Sequence, residues 1–358
     1  MKISWWLLPF SWLYGAVVRL RNCMFDCGLI KSRSYGVPLI CVGNLTVGGT
    51  GKTPHTEYLA NLLHREWRVA IVSRGYKRKS TGMVVADLNS TAEDIGDEPW
   101  QMKQKLSDVQ LVVSRDRRES LDALLMRPVT QRPQVVILDD AFQHRRVKAG
   151  LNILLTDYNR LISDDLLLPA GRLREPFSGR SRAQIVAVTK CPNILSMEEQ
   201  AVIKKKLCLR TGQHLFFTHQ KYSALVQVFG RGTLPFDKLR EVGSVLLVCG
   251  IATPHLLARD LQTLGIHVET MAFHDHHAFS STDVQRINHR FASMAARQDT
   301  IAVTTEKDVA RLRLCKGLSQ EFKDRLYALP LEVEFLNDQG EQFNKLITDY
   351  VGANQTNG

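Results

Sequence analysis

No two cysteines of this chain stand at the C-x-x-C spacing of a zinc site or a dithiol redox motif. The seven present (Cys23, Cys27, Cys41, Cys191, Cys208, Cys249 and Cys315) are odd in number and scattered, which argues against a disulfide framework or a cysteine-built metal centre. Several lie in apolar strand-like runs, where a free thiol packs as a small hydrophobe, so a reducing cytoplasm is expected. A long hydrophobic run is also lacking. Residues 3–18 read ISWWLLPFSWLYGAVV, too short and too broken by Pro9 and Gly15 for a membrane span. A small-residue cleavage site is missing, and Arg19 and Arg21 follow the apolar run instead of preceding it, so it does not read as a signal peptide. Acidic residues are in deficit. Against 47 Lys and Arg stand 36 Asp and Glu, a formal charge of +11, which points to an anionic partner. Internal repeats, low-complexity tracts and long linkers are absent.

What is present near the N-terminus is aromatic. Trp5, Trp6, Trp12 and Tyr14 are residue types that favour the headgroup level of a bilayer, and with basic neighbours they predict a helix lying in the membrane interface over residues 1–35. Beyond it, apolar runs at 37–42, 68–72, 135–138, 151–155 and 184–188 alternate with helical periodicity. That pattern predicts an α/β fold with a mostly parallel sheet and helices on both faces. The alternation repeats from residue 243, with strands at 244–249, 267–273 and 300–304 and helices at 254–264 and 282–296. We therefore expect a nucleotide-binding domain over 36–220, a smaller α/β lobe over 221–335 and a tail over 336–358.

The strongest chemical signal is Thr46-Val47-Gly48-Gly49-Thr50-Gly51-Lys52-Thr53, placed between a predicted strand and a predicted helix. Glycines let successive backbone N–H groups turn towards one anion, and the helix N-terminus adds its positive end. In such a phosphate loop Lys52 reaches the β- and γ-phosphates and Thr53 ligates magnesium. Thr46 stands where the pattern has its first glycine. Downstream, Val135-Val136-Ile137-Leu138-Asp139-Asp140 predicts a buried strand that delivers Asp139 to the magnesium of a bound nucleoside triphosphate. Polar clusters occupy loops where open α/β sheets bind ligands: SRGYKR at 73–78, GDEP at 96–99, SRDR at 114–117, PAGRLREP at 169–176 and FHDHHAF at 273–279. His274, His276 and His277 cannot all face one ion from a strand-to-loop segment, so no zinc is expected.

In order, VGNLTVGGTGKTP, SRGYKR, GDEP, SRDR, LDDAFQHR, PAGRLREP, DHH and TTEKD resemble the tetraacyldisaccharide 4'-kinases of lipid A biosynthesis over nearly the whole chain. The resemblance implies transfer of the γ-phosphate of ATP to the 4'-hydroxyl of a tetraacylated glucosamine disaccharide 1-phosphate, giving lipid IVA on the cytoplasmic face of the bacterial inner membrane. An interfacial enzyme with an anionic substrate needs an aromatic helix and an excess of basic residues. The resemblance also implies Asp97 as base, assisted by His276. Magnesium falls to Thr53, with Asp139 and Glu175, and Arg174 is expected as charge stabiliser at the γ-phosphate. Asp97 and His276 lie in different lobes, so the pair implies lobe closure. No nucleic acid or obligate protein partner is expected.

The alternative is a membrane-associated ATPase switch of the partitioning or septum-positioning type. That class has a lysine directly before the two glycines, where this chain has Val47. A GTPase would need N/T-K-x-D at the end of a late strand. Thr189-Lys190-Cys191-Pro192 is the nearest match, with Pro192 in place of the aspartate, which favours ATP.

Overall fold

The computed structural model describes residues 4–251, 254–275 and 277–355. In chain order the strands are β1 (Leu39–Asn44), β2 (Val69–Ser73), β3 (Val84–Ala86), β4 (Gln110–Val113), β5 (Val135–Asp139), β6 (Leu151–Asp157), β7 (Ile185–Thr189), β8 (His214–Tyr222), β9 (Leu225–Gln227), β10 (Thr233–Leu234), β11 (Ser244–Cys249), β12 (His267–Ala272), β13 (Thr300–Thr305), β14 (Leu326–Leu329) and β15 (Leu331–Phe335). The helices are α1 (Leu8–Asp26), α2 (Lys52–Leu63), α3 (Ala92–Ile95), α4 (Asp97–Lys105), α5 (Arg117–Leu125), α6 (Met197–Leu207), α7 (Pro254–Gln262), α8 (Ser281–Ala295), α9 (Glu306–Leu314), α10 (Gln320–Asp324) and α11 (Gln339–Gln355). Two compact units result: residues 1–220 with 333–358, and residues 221–332.

The first unit is built on a nine-stranded sheet in the order β15-β8-β7-β6-β1-β5-β2-β4-β3. The pairings from β4 through β8 are parallel, and β3 closes one edge antiparallel to β4. β1, β2, β5 and β7 are buried at every position, as continuous apolar runs covered on both faces require. β1 sits centrally, with β5 on one side and β6 on the other, so the turn after Asn44 opens at a topological switch point. Gly43 is needed there, since a Cβ would come within 2.5 Å of Phe142.

Residues 336–355 are not a tail. They carry α11, which belongs to the first unit, because Phe343, Ile347 and Val351 recur on one helical face and are fully buried. Phe343 meets Phe216 at 5.3 Å and Phe335 at 4.5 Å between ring centroids, and the Tyr350 hydroxyl donates to the Leu39 carbonyl at 3.1 Å.

α1 shows two faces. Ser11, Gly15 and Val18 are buried, and the Tyr14 hydroxyl donates to the Arg174 carbonyl at 2.8 Å. Phe10, Trp12, Leu13, Val17 and Leu20, with Trp5 and Trp6 of the short turn that precedes the helix, are all at least 60% exposed. No helix among the described residues is long and apolar enough to cross a membrane.

The second unit has its own sheet, in the order β10-β9-β14-β13-β11-β12. Its core gathers Val245, Leu247, Leu261 and Val303. Here β11, β12, β13 and β14 run parallel.

Candidate active site

Beyond β1 the chain turns through Thr46 to Gly51 into α2. Gly48 and Gly51 adopt φ of 108° and 82°, the left-handed region that glycine enters without penalty. A Cβ on Gly49 would meet nothing within 4 Å, so the loop faces open space in front of the α2 N-terminus. Its rim is the PAGRLREP segment: the Val47 amide donates to the Arg172 carbonyl at 2.8 Å and the Arg174 amide to the Leu45 carbonyl at 2.6 Å. Behind the loop three successive carbonyls are held from outside. Lys190 Nζ donates to Gly49, Thr189 Oγ1 to Thr50 at 3.0 Å, and His55 Nδ1 to Gly51 at 2.8 Å. Carbonyls tied outward leave the amides to the cradle. His55 is buried, which drives its pKa down to about 4. It is neutral at physiological pH, with its proton on Nδ1 because Gly51 offers only an acceptor.

β5 delivers two aspartates with different environments. Asp139 is buried, and its carboxylate accepts from Ser73 Oγ at 2.8 Å and Thr56 Oγ1 at 3.3 Å. Burial, with the charges of Glu98 and Asp140, pushes its pKa up to about 6, against the pull of Lys52. Asp140 also pays for burial, yet Lys52 and Arg174 hold its carboxyl below the usual range. It takes a forked contact from Arg174, at 2.8 Å and 3.3 Å, and lies 3.8 Å from Lys52 Nζ. Its φ of 44° is unusual for a side-chain-bearing residue. Buried Arg117 secures that turn by donating to the Asp139 carbonyl at 3.0 Å and the Asp140 carbonyl at 3.4 Å.

Asp97 opens α4 directly after Gly96, whose φ is 94°. The helix is fixed to α2 because Gln101 and Lys105 both bond Glu57, at 2.9 Å and 2.8 Å. Its first turn thereby reaches the site, and the Glu98 charge is felt by Asp139. Glu175 faces elsewhere: Arg21 approaches one oxygen at 3.3 Å, and Arg182 and Asn22 the other at 2.7 Å and 3.3 Å. Thr53 is buried on the first turn of α2. His276 lies outside the described residues. Its neighbour His277 bonds Asp283 at 2.9 Å and stacks on Phe273 at 4.9 Å, lining an open groove of about 1140 Å³ between β12 and α8 in the second unit.

The structure thus gathers Lys52, Asp139, Asp140, Arg174 and the α4 first turn around one glycine cradle. Sequence reasoning placed Glu98 and Arg117 only within polar clusters, and passed over His55 and the packing of Thr189-Lys190 on the loop. A glutamate one residue from a candidate base was the available signal for the first. The others act through backbone carbonyls, which no motif reports.

A parallel sheet with a phosphate loop after its central strand and a carboxylate-ended strand beside it defines a P-loop nucleotide-binding fold, here serving a kinase. The model of the tetraacyldisaccharide-1-P 4'-kinase family matches residues 3–351, and the chain belongs to that family. A tetraacyldisaccharide 4'-kinase of Phocaeicola vulgatus is 48% identical over 100% of this chain and 98% of its own length. One of Flavobacterium johnsoniae is 46% identical over 97% of each. The crystal structure of LpxK from Aquifex aeolicus in complex with ATP superposes with a TM-score of 0.74 at 33% identity, covering 96% of this chain and 98% of that one. The partitioning-type switch is not favoured: Val47 departs from it, and the kinase family spans the chain.

Proposed function

We propose that this kinase transfers the γ-phosphate of ATP, with magnesium, to the 4'-hydroxyl of a tetraacylated glucosamine disaccharide 1-phosphate, making lipid IVA at the cytoplasmic face of the inner membrane. The observation that carries the phosphate side is the open cradle at Gly49, with Lys52 at one end of it and the Asp139-Asp140 pair beyond. The names of its relatives supply the acceptor.

In this reading the amides of Gly48 to Thr53 and Lys52 grip the β- and γ-phosphates. Asp140 holds Lys52 and Arg174 as an internal anion, and an arriving phosphate would draw on the same two cations. Magnesium suits the site because Asp139 is a buried carboxylate that accepts from the Ser73 and Thr56 hydroxyls, and a cation added to the charge of Lys52 would further favour its ionised form. Thr53 and Asp139 would hold the ion, whose charge offsets that of the phosphates. Glu175 would have to give up Arg21 or Arg182 to join them. Arg174 then stabilises charge at the γ-phosphate, and Asp97 takes the proton from the attacking hydroxyl with help from His276. The exposed aromatic face of α1 would seat the enzyme in an anionic membrane interface, where its acylated substrate resides.

The test is turnover of labelled ATP with the tetraacyl disaccharide 1-phosphate in detergent micelles. Lys52→Ala should lose activity while keeping its fold, since the Lys52–Asp140 contact is long at 3.8 Å and Arg174 goes on satisfying Asp140 through its forked contact. Near-normal turnover by that variant would remove the phosphate-loop role.

A further inference from the structure

The face of α1 that turns away from solvent runs along the PAGRLREP segment. Ser11, Tyr14, Val18, Arg21 and Asn22 recur at spacings of three and four residues, which sets them on one side of the helix. Ser11 Oγ accepts from the Ala170 amide at 2.9 Å and donates to the Leu167 carbonyl at 3.0 Å. One turn on, the Tyr14 hydroxyl reaches the Arg174 carbonyl at 2.8 Å. Two turns further, Arg21 and Asn22 take the two oxygens of Glu175, each at 3.3 Å. The helix thus follows the segment from one end to the other.

Arg174 is held on both sides of its own backbone. Its amide donates to Leu45 at 2.6 Å, where the chain leaves β1 for the phosphate loop, and its carbonyl accepts from Tyr14. The guanidinium then forks onto Asp140. A long side chain carries any shift of its backbone out to its charged end, and a misplacement of about 1 Å can cost about a hundredfold in rate. A tyrosine meant for the headgroup level would keep its hydroxyl outward. Tyr14 is half-buried and spends its hydroxyl on the protein, so it leaves the set of aromatic residues read as lipid-facing.

We propose that Tyr14 is a positioning residue for phosphoryl transfer: its hydroxyl fixes the backbone of Arg174, so the helix whose outer face meets the membrane also sets the arginine that meets the γ-phosphate. The inference rests on the kinase reading for the role of Arg174. Removing the hydroxyl leaves the ring, the exposed face and the phosphate loop in place.

Turnover of ATP with the tetraacyl disaccharide 1-phosphate in detergent micelles is measured for the full chain, Tyr14→Phe, Arg174→Ala and the double variant. Tyr14→Phe should lower kcat at saturation about five- to tenfold, the range of one net hydrogen bond, with the KM for the disaccharide and sedimentation with vesicles within about twofold of the wild type. In the Arg174→Ala background the same change should cost less than about twofold, because residues that act as a unit are not additive. Thermal melts of each variant confirm the fold. An unchanged kcat in Tyr14→Phe would overturn the inference, as would losses of equal size in both backgrounds. A loss confined to KM or to vesicle binding would return Tyr14 to the membrane face and overturn it as well. Near-normal turnover by Arg174→Ala would strike the role of Arg174, and this inference with it, while leaving the kinase reading standing. A wild type without turnover would remove the kinase reading and this inference together.

Discussion

Asp139 is held ionised at physiological pH at a cost to the fold, and replacing it by asparagine exposes that cost. Burial chiefly, then Glu98 and Asp140, raise its pKa from an ordinary 3.8 to about 6. A raised carboxyl pKa means that the folded chain binds a proton which the unfolded chain has lost between those values. Stability is therefore intact below pH 3.8, falls as pH rises towards 6, and stays reduced above it. At about 1.4 kcal/mol per unit the loss approaches 3 kcal/mol. Asparagine keeps an oxygen for Thr56, and the Ser73 hydroxyl can turn to accept from its amide, so about 1–3 kcal/mol of that loss should be recovered. For a unit of this size that is a rise in Tm of roughly 2–10 °C. Calorimetry without magnesium or nucleotide should show the gain in full at pH 8, about half of it at pH 5, and little at pH 4. Kinase activity of Asp139→Asn should fall at least about a hundredfold, more than loss of an outer-sphere partner costs. A variant less stable than the wild type at pH 8, or a gain of equal size at pH 4, would refute ionisation as the source.

Replacing Trp5, Trp6 and Trp12 together by serine should move the protein from the membrane pellet to the supernatant and raise the apparent KM for micellar substrate. Three aromatic side chains half-sunk in lipid sum to several kcal/mol, so partitioning should drop about a hundredfold, as vesicle sedimentation would show. If Asp97 and His276 act as one unit, either alanine variant should lose about 10²- to 10⁴-fold in kcat with little change in ATP affinity. The double variant should then be no worse than the worse single, and multiplicative losses in steady-state kinetics would separate their roles. Phe343→Ala should cost about 3–5 kcal/mol in chemical denaturation of the first unit, whereas an exposed tail position would cost almost nothing.

Much of this was legible in the sequence where one physical cause acts locally. The buried runs at 135–138 and 184–188 became strands because a parallel sheet needs apolar residues on both faces, and the glycine loop lies between strand and helix as its spacing requires. What stayed hidden depends on distant partners. β8 alternates polar and apolar residues in HLFFTHQKY, too irregularly to declare a strand until β7 and β15 flank it. α11 opens with QGEQ, which reads as polar and terminal, and only the packing of Phe343 on Phe216 makes it core. The aromatic helix was legible as amphipathic, but its second face was not, since Tyr14 and Ser11 find their acceptors more than 150 residues away.

The return of α11 to the first unit sets the order in which the chain can be finished on the ribosome. Tyr350 closes on Leu39, 311 positions earlier. At about 5–20 residues per second, some 15–60 s separate the synthesis of the two. Through that interval the nucleotide-binding sheet waits for its last helix while the whole second unit is being made. By then the N-terminal aromatic face has long been outside the exit tunnel, free to find a bilayer. If that face docks on a bilayer as proposed, it can do so before α11 completes the nucleotide-binding unit.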